Sequence, residues 1–152
     1  MAKDGPDTAV ALRARALRLL ARREHSRAEL ARKLAPGAES PAALAELLDS
    51  LEQKRQLSDA RYAEARVRQL SRKYGAARIR QDLKANGVGG DLIDGVSGEG
   101  ELERARAILD RKYRSPAATR EERAKRMRFL QSRGFASDVI FRLLSSRFDP
   151  AR

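Results

Sequence analysis

Apolar residues recur at helical spacing along almost the whole chain, and nowhere does a sustained β-branched alternation argue for a strand. Leu12, Ala16, Leu19 and Leu20 share one face of a helix predicted over about 9–23, with Arg13, Arg15, Arg18 and Arg22 largely on the other. Ser26 and Glu29 have the spacing of a capping box, in which the hydroxyl takes an orphan N–H and the carboxylate reaches back to the cap. Leu30 and Leu34 line the short helix that follows, and Pro36-Gly37 stops it. Ser40-Pro41 starts a third helix, with serine as N-cap and proline where no N–H is missed; Leu44, Leu47, Leu48 and Leu51 form its stripe.

The same grammar then repeats. Ser58-Asp59 opens a helix lined by Tyr62, Ala63, Val67 and Leu70, and Lys73-Tyr74-Gly75 closes it. Ile79 and Leu83 line the next, which ends at Gly87, a left-handed C-cap position. A short helix over about 90–96 carries Leu92, Ile93 and Val96, weakened by its glycines at about 1 kcal/mol for each one in a helix. After the linker Ser97-Gly98-Glu99-Gly100 come Leu102, Ala105, Ile108 and Leu109 on one face, a break at Ser115-Pro116, and a helix over about 120–132 ending at Gly134. Ser137-Asp138 caps a last helix with Val139, Ile140, Leu143 and Leu144. The predicted fold is all-α: three tandem three-helix repeats at 9–57, 58–98 and 99–148, forming an elongated, curved array. A flexible lead-in at 1–8 and a tail at 149–152 flank them. A unit of this size is near the limit for folding alone, so neighbours are expected to share burial. A hinge, if there is one, is expected in the glycine-rich segment 95–100.

Charge adds a direction. The chain holds 33 Lys and Arg against 21 Asp and Glu, a formal net charge of +12. Residues 1–57 carry 11 basic and 8 acidic groups, 58–98 carry 8 and 5, and 99–152 carry 14 and 8. The excess is spread over all three repeats and is heaviest in the last, which distinguishes it from a basic tail. It favours a polyanion or an acidic protein as partner.

Little points to catalysis. There is no cysteine, so no disulfide framework, thiolate nucleophile or Cys-based zinc site is available, in keeping with a reducing compartment. His25 is the only histidine, at a helix junction, and one His without a carboxylate cluster makes no metal set. No phosphate-binding loop or dinucleotide motif is present. No catalytic residue, metal or cofactor is therefore expected. With no apolar signal core and no run of membrane-spanning length, the chain is read as cytoplasmic, a monomer and not membrane-bound.

The candidate binding residues are the cations around the corner between the first and second helix of each repeat. They are Arg23, Arg27, Arg32 and Lys33 in the first repeat, and Arg66, Arg72, Lys73, Arg78, Arg80 and Lys84 in the second. In the third they are Arg111, Lys112, Arg126 and Arg133. Arginine's fork suits phosphate and carboxylate bidentately. Tyr74 joins them and, with Tyr113, is the better candidate for stacking on a base, since both lie beside basic residues at helix ends; Phe129, Phe135, Phe141 and Phe148 are read first as core.

Three phrases carry a resemblance to a known family. They are Leu20-Ala-Arg-Arg23-Glu-His25-Ser26-Arg-Ala-Glu29-Leu30-Ala-Arg-Lys33-Leu34; Leu57-Ser58-Asp59-Ala-Arg61-Tyr62-Ala63 with Tyr74-Gly75-Ala-Ala-Arg78-Ile79-Arg-Gln-Asp-Leu83 and Gly87; and Phe129-Leu130-Gln-Ser-Arg133-Gly134-Phe135. In this order, over about residues 10–147, the sequence resembles the RecX family; the glycine-rich third helix of the middle repeat fits least well. The resemblance implies three tandem three-helix repeats. It also implies a regulator that binds the RecA recombinase in its filament groove on DNA and mainly inhibits ATP hydrolysis, strand exchange and co-protease function, with weak, non-specific binding to single- or double-stranded DNA. Two other readings stay open from the residues alone. One is a basic helix-turn-helix-like DNA module with no RecA role, its Arg78/Arg80/Lys84 helix entering a groove. The other is an α-solenoid scaffold for some other acidic protein.

Overall fold

The computed structural model of the chain describes Gly5 and residues 7–147. Most of the 1–8 lead-in, Phe148 and the 149–152 tail lie outside the described residues. Among the described residues nine α-helices follow in order: α1 (Ala9–Arg22), α2 (Arg27–Leu34), α3 (Pro41–Gln53), α4 (Asp59–Leu70), α5 (Ala76–Ala85), α6 (Gly90–Asp94), α7 (Glu101–Lys112), α8 (Arg120–Ser132) and α9 (Ser137–Arg147). A single 3-10 turn, Ala35–Gly37, follows α2, and no strand occurs among the described residues. The caps explain most helix starts. Thr8, Ser26, Ser40, Ser58 and Thr119, at five of the nine starts, each accept the N–H three residues on, at Ala11, Glu29, Ala43, Arg61 and Glu122. The one helix shorter than expected is α6. It stops at Asp94, before Gly95, although Val96 is still buried at 6% exposure.

By contacts the described chain forms two compact units. One runs to Ala65 and includes Leu83–Leu92; the other comprises Arg66–Asp82 and everything from Ile93. The boundary falls inside α4, α5 and α6, and residues 95–100 lie within the second unit.

In the first unit α1, α2 and α3 pack on one another around Leu12, Ala16, Leu30, Leu34, Leu47, Leu48, Leu51 and Leu57. The N-terminus of α2 also meets the C-terminus of α5. The Ser26 hydroxyl, fully buried, accepts from Glu29 N and donates to the Asn86 carbonyl at 2.6 Å. Arg27 N donates to the Asp59 carboxylate at 2.7 Å. Gly87, at φ +77°, lies so close to Ala28 that an added Cβ would stand 2.3 Å from the Ala28 Cβ.

In the second unit α7, α8 and α9 pack around Ala105, Ile108, Leu109, Leu130, Phe135, Ile140, Leu143 and Leu144. The N-terminus of α5 meets the C-terminus of α8 by the same device. Gly75 N donates to the Arg133 carbonyl at 2.7 Å. Ala76 N donates to the buried Glu101 carboxylate at 3.1 Å. Gly134, at φ +83°, lies against Arg78, whose Cβ and N would be 2.4 and 2.6 Å from an added methyl. In both units, therefore, the second helix of one repeat takes an acidic cap from the first helix of the next. Its first turn seats the left-handed glycine that ends the next repeat's second helix.

Candidate polyanion-binding surface

The candidate cations divide sharply by what holds them. In the first unit most are neutralised. Arg23 makes a bidentate pair with Glu29, at 2.9 and 2.5 Å, and Lys33 approaches the same carboxylate at 3.5 Å. Hydrogen bonds from Arg23, outweighing the burial that opposes them, hold the Glu29 carboxyl down at about 2. The capping-box serine is in place, but the Glu29 carboxylate is engaged by Arg23. Arg27 reaches Asp49 at 2.7 Å and Glu52 at 3.1 Å. His25 is 2% exposed; Lys33 Nζ, which can only donate, lies 3.0 Å from its Nε2, so Nδ1–H donates to the Arg23 carbonyl at 3.1 Å. Burial and the adjacent cations lower its pKa and keep the ring neutral. Arg32 and Lys84 are exposed.

The second unit is different. Arg66 is bound bidentately to Asp82 at 2.7 and 2.8 Å, and Arg80 donates to the Val96 carbonyl at 2.7 Å. For Arg72, Lys73, Arg78, Arg111, Lys112 and Arg133, however, no carboxylate lies within ion-pair distance among the described residues. Arg78, Arg111, Lys112 and Arg133 meet rings or backbone carbonyls instead. Arg78 lies 4.7 Å from the Tyr74 centroid and donates to the Ser132 carbonyl at 2.9 Å. Arg133 lies 5.3 Å from Tyr74 and 5.1 Å from Phe129. Lys112 lies 4.1 Å from Phe129 and 5.8 Å from Tyr113, and the two rings meet edge to face at 6.3 Å. Arg126 closes the series 4.4 Å from Tyr113.

Cations and rings thus alternate along a ladder: Arg78, Tyr74, Arg133, Phe129, Lys112, Tyr113, Arg126. The local sequence explains the placement. Tyr74 sits in the turn between α4 and α5 and Tyr113 caps the end of α7, while Phe129 and Arg133 are one helical turn apart at the end of α8. Arg126 departs from the expectation of a surface cation. It is 7% exposed, with its Nε buried and unbonded, because its place on α8 faces Tyr113 and the core. Phe129, read from sequence as core, packs half-buried against that core and is also a rung, whereas Phe141, read the same way, is 63% exposed. Beside the ladder, Ser71, Arg72, Arg104, Ala107, Ile108 and Arg111 line an open groove of about 390 Å³. Across it Arg111 donates to the Arg72 carbonyl at 2.8 Å.

No cluster of three or more potential metal ligands occurs among the described residues, and none of their helices is long and apolar enough to cross a membrane.

Comparison with known proteins matches three family models in order: the first three-helix domain of RecX at residues 13–51, the second at 58–96 and the third at 99–144. The regulatory protein RecX of Ralstonia nicotianae is 44% identical over 142 residues, covering 91% of this chain and 89% of its own. That of Leptothrix cholodnii is 46% identical over 147 residues, covering 95% and 92%. In structure the chain is similar to RecX from Lactobacillus salivarius, with a TM-score of 0.78 at 20% identity over 91% of this chain and 95% of that one.

Proposed function

The chain belongs to the RecX family, and on that premise we propose that it is a non-enzymatic, monomeric cytoplasmic regulator of the RecA recombinase. On this reading it binds RecA filaments on DNA, in their groove, and restrains ATP hydrolysis, strand exchange and co-protease function, with weak and non-specific contact to the DNA itself. The observation that carries the reading is the ordered match of all three repeats to a family of regulatory proteins. The unneutralised cations of the second unit add a physical reason, since a recombinase filament offers phosphate and acidic protein along one long surface. Repeated weak contacts along such a filament add through effective concentration.

The alternative of a helix-turn-helix DNA module is less well supported. It needs α5 to present Arg80 alongside Arg78 and Lys84, whereas Arg80 is part-buried and bound to the Val96 carbonyl.

The test is titration of the chain into RecA-dependent ATP hydrolysis on single-stranded DNA at fixed salt. Inhibition at well under one chain per RecA is expected. Unchanged hydrolysis at equimolar chain refutes the proposal.

A further inference from the structure

We propose that the groove between the end of α4 and α7 seats a segment of a partner protein in which an apolar side chain is flanked by carboxylates. This deepens the regulator reading by naming the chemistry of one contact, and rests on that reading only for which protein supplies the segment.

Three observations lead there. First, one stripe of α7 builds the groove. Arg104, Ala107, Ile108 and Arg111 stand at the spacing i, i+3, i+4 and i+7, so they share a face over two helical turns. The two apolar residues lie in the middle. An arginine stands at each end, about 10.5 Å apart by the rise of the helix. Ser71 and Arg72, just after α4, complete the lining, which is mainly apolar. Its one hydroxyl, on Ser71, donates to the Val67 carbonyl at 2.5 Å.

Second, nothing in the groove answers the charge of its arginines. No carboxylate lies within ion-pair distance of Arg72, Arg104 or Arg111 among the described residues. The Arg104 Nε is buried and has no acceptor. A guanidinium partly stripped of water gains more from an incoming carboxylate than one in open solvent.

Third, two of the guanidinium groups are already held. Arg104 donates to the Glu99 carbonyl at 2.9 Å and Arg111 to the Arg72 carbonyl at 2.8 Å. Each tie uses one nitrogen and leaves other N–H groups for a carboxylate. Side chains ordered beforehand lose less freedom on binding.

The occupant follows from the combination. A phosphate chain would answer the rim and leave the apolar middle wet. A purely apolar segment would cover the middle and leave the arginines unanswered. An apolar side chain between carboxylates meets both. Covering about 60 Å² of apolar surface is worth about tenfold in affinity.

The test is fluorescence anisotropy with the full chain and three labelled probes. These are the hexapeptide Asp-Glu-Leu-Phe-Glu-Asp, its counterpart of equal charge Asp-Glu-Ser-Gly-Glu-Asp, and an oligo-dT strand. The first peptide is expected to bind about tenfold more tightly than the second. Ala107→Trp fills the groove from an exposed position. It should weaken the first peptide about tenfold and leave oligo-dT within about twofold, with circular dichroism reporting that the fold is kept. Arg111→Lys keeps the charge but loses the fork, and should weaken the first peptide about threefold.

Equal binding of the two peptides means plain charge attraction and overturns the proposal. So does an Ala107→Trp or Arg111→Lys chain that binds the first peptide like the parent. An Ala107→Trp chain that loses oligo-dT as strongly as the peptide makes the groove a nucleic-acid contact and overturns it too. If the peptides bind as expected while RecA hydrolysis is untouched, the regulator reading falls and the groove stands. Inhibition of RecA with no preference for the first peptide gives the reverse.

Discussion

Replacing Gly134 by alanine tests the junction between successive repeats directly. Two costs combine at this position. At φ +83° the backbone is in the left-handed region, where an L side chain costs about 1–2 kcal/mol. The methyl would also stand 2.4 Å from the Arg78 Cβ, 2.6 Å from its N and 3.0 Å from its Cα. These atoms belong to the first turn of a helix and cannot swing aside as a flexible side-chain end can. Overpacking of this kind costs about 1–3 kcal/mol. The expected destabilisation is therefore about 2–5 kcal/mol, which at about 2 kcal/mol/M lowers the urea midpoint by about 1–2.5 M. Two further glycines separate the causes. A Cβ on Gly75 would meet the Gly134 carbonyl at 2.5 Å and Glu101 at 2.7 Å, but its φ is not positive, so Gly75→Ala should cost about 1–3 kcal/mol from crowding alone. Gly89 has nothing within 4 Å and no positive φ, so Gly89→Ala should be neutral or stabilising by up to about 1 kcal/mol. Urea unfolding followed by circular dichroism gives all three. A Gly134→Ala cost under 1 kcal/mol, or a Gly89→Ala cost as large as it, refutes the reading of Gly134 as the contact that seats one repeat on the next.

Glu101→Ala should leave the buried Ala76 N–H without its acceptor and cost about 1–3 kcal/mol, with Glu101→Gln recovering at least half of that; faster amide exchange at Ala76 in the alanine variant is the local readout. Glu29→Gln probes the Arg23 pair by pH. A carboxyl held down at about 2 contributes fully above its unfolded value of 4.5 and loses that contribution as pH falls through about 2. The parent and Glu29→Gln should therefore differ by a constant amount above about pH 5 and converge near pH 2. Because Arg23 is 52% exposed, solvent screening holds the plateau to about 1 kcal/mol. A gap that persists at pH 2 refutes the ionic origin.

What the sequence reveals is what short-range chemistry decides. Ser26, Ser40 and the glycines at 87 and 134 act within a turn of themselves, so helix starts and stops are legible from them. Buried positions such as Leu30, Leu83 and Leu109 follow from period alone. The second role of each junction residue is not legible. Asp59 reads as a first-turn acid of its own helix, yet its carboxylate caps α2 from a distant part of the chain. Gly134 reads as a helix end, and nothing in one turn of sequence shows that Arg78 lies beneath it. The same limit applies to the binding surface. Basic corners are visible in all three repeats, but whether a cation is neutralised depends on which carboxylate the fold brings near. Thus Arg23 and Arg66 are paired, Arg133 stays open and Arg126 turns inward.

The caps also show why the order of the repeats matters. The N-terminus of α8 supplies its own acceptors: Thr119 takes Glu122 N at 3.1 Å and the Glu122 carboxylate takes Ala118 N at 2.7 Å. The N-terminus of α5 has glycine where α2 has Ser26, and takes its acceptors from Arg133 and Glu101 of the following repeat. At the N-terminus of α2 the two sources are mixed, with Ser26 local and Asp59 from the repeat after. A second helix seated on the next repeat can therefore leave part of its first turn to that repeat, whereas α8 satisfies its own from Thr119 and Glu122. An α8 without that local cap would expose orphan N–H groups, and an α5 with a bulky cap in place of Gly75 would collide with the Gly134 carbonyl at 2.5 Å. The ladder depends on the same asymmetry: Tyr74 and Arg133 meet only because Gly75 and Gly134 let α5 and α8 approach end to end.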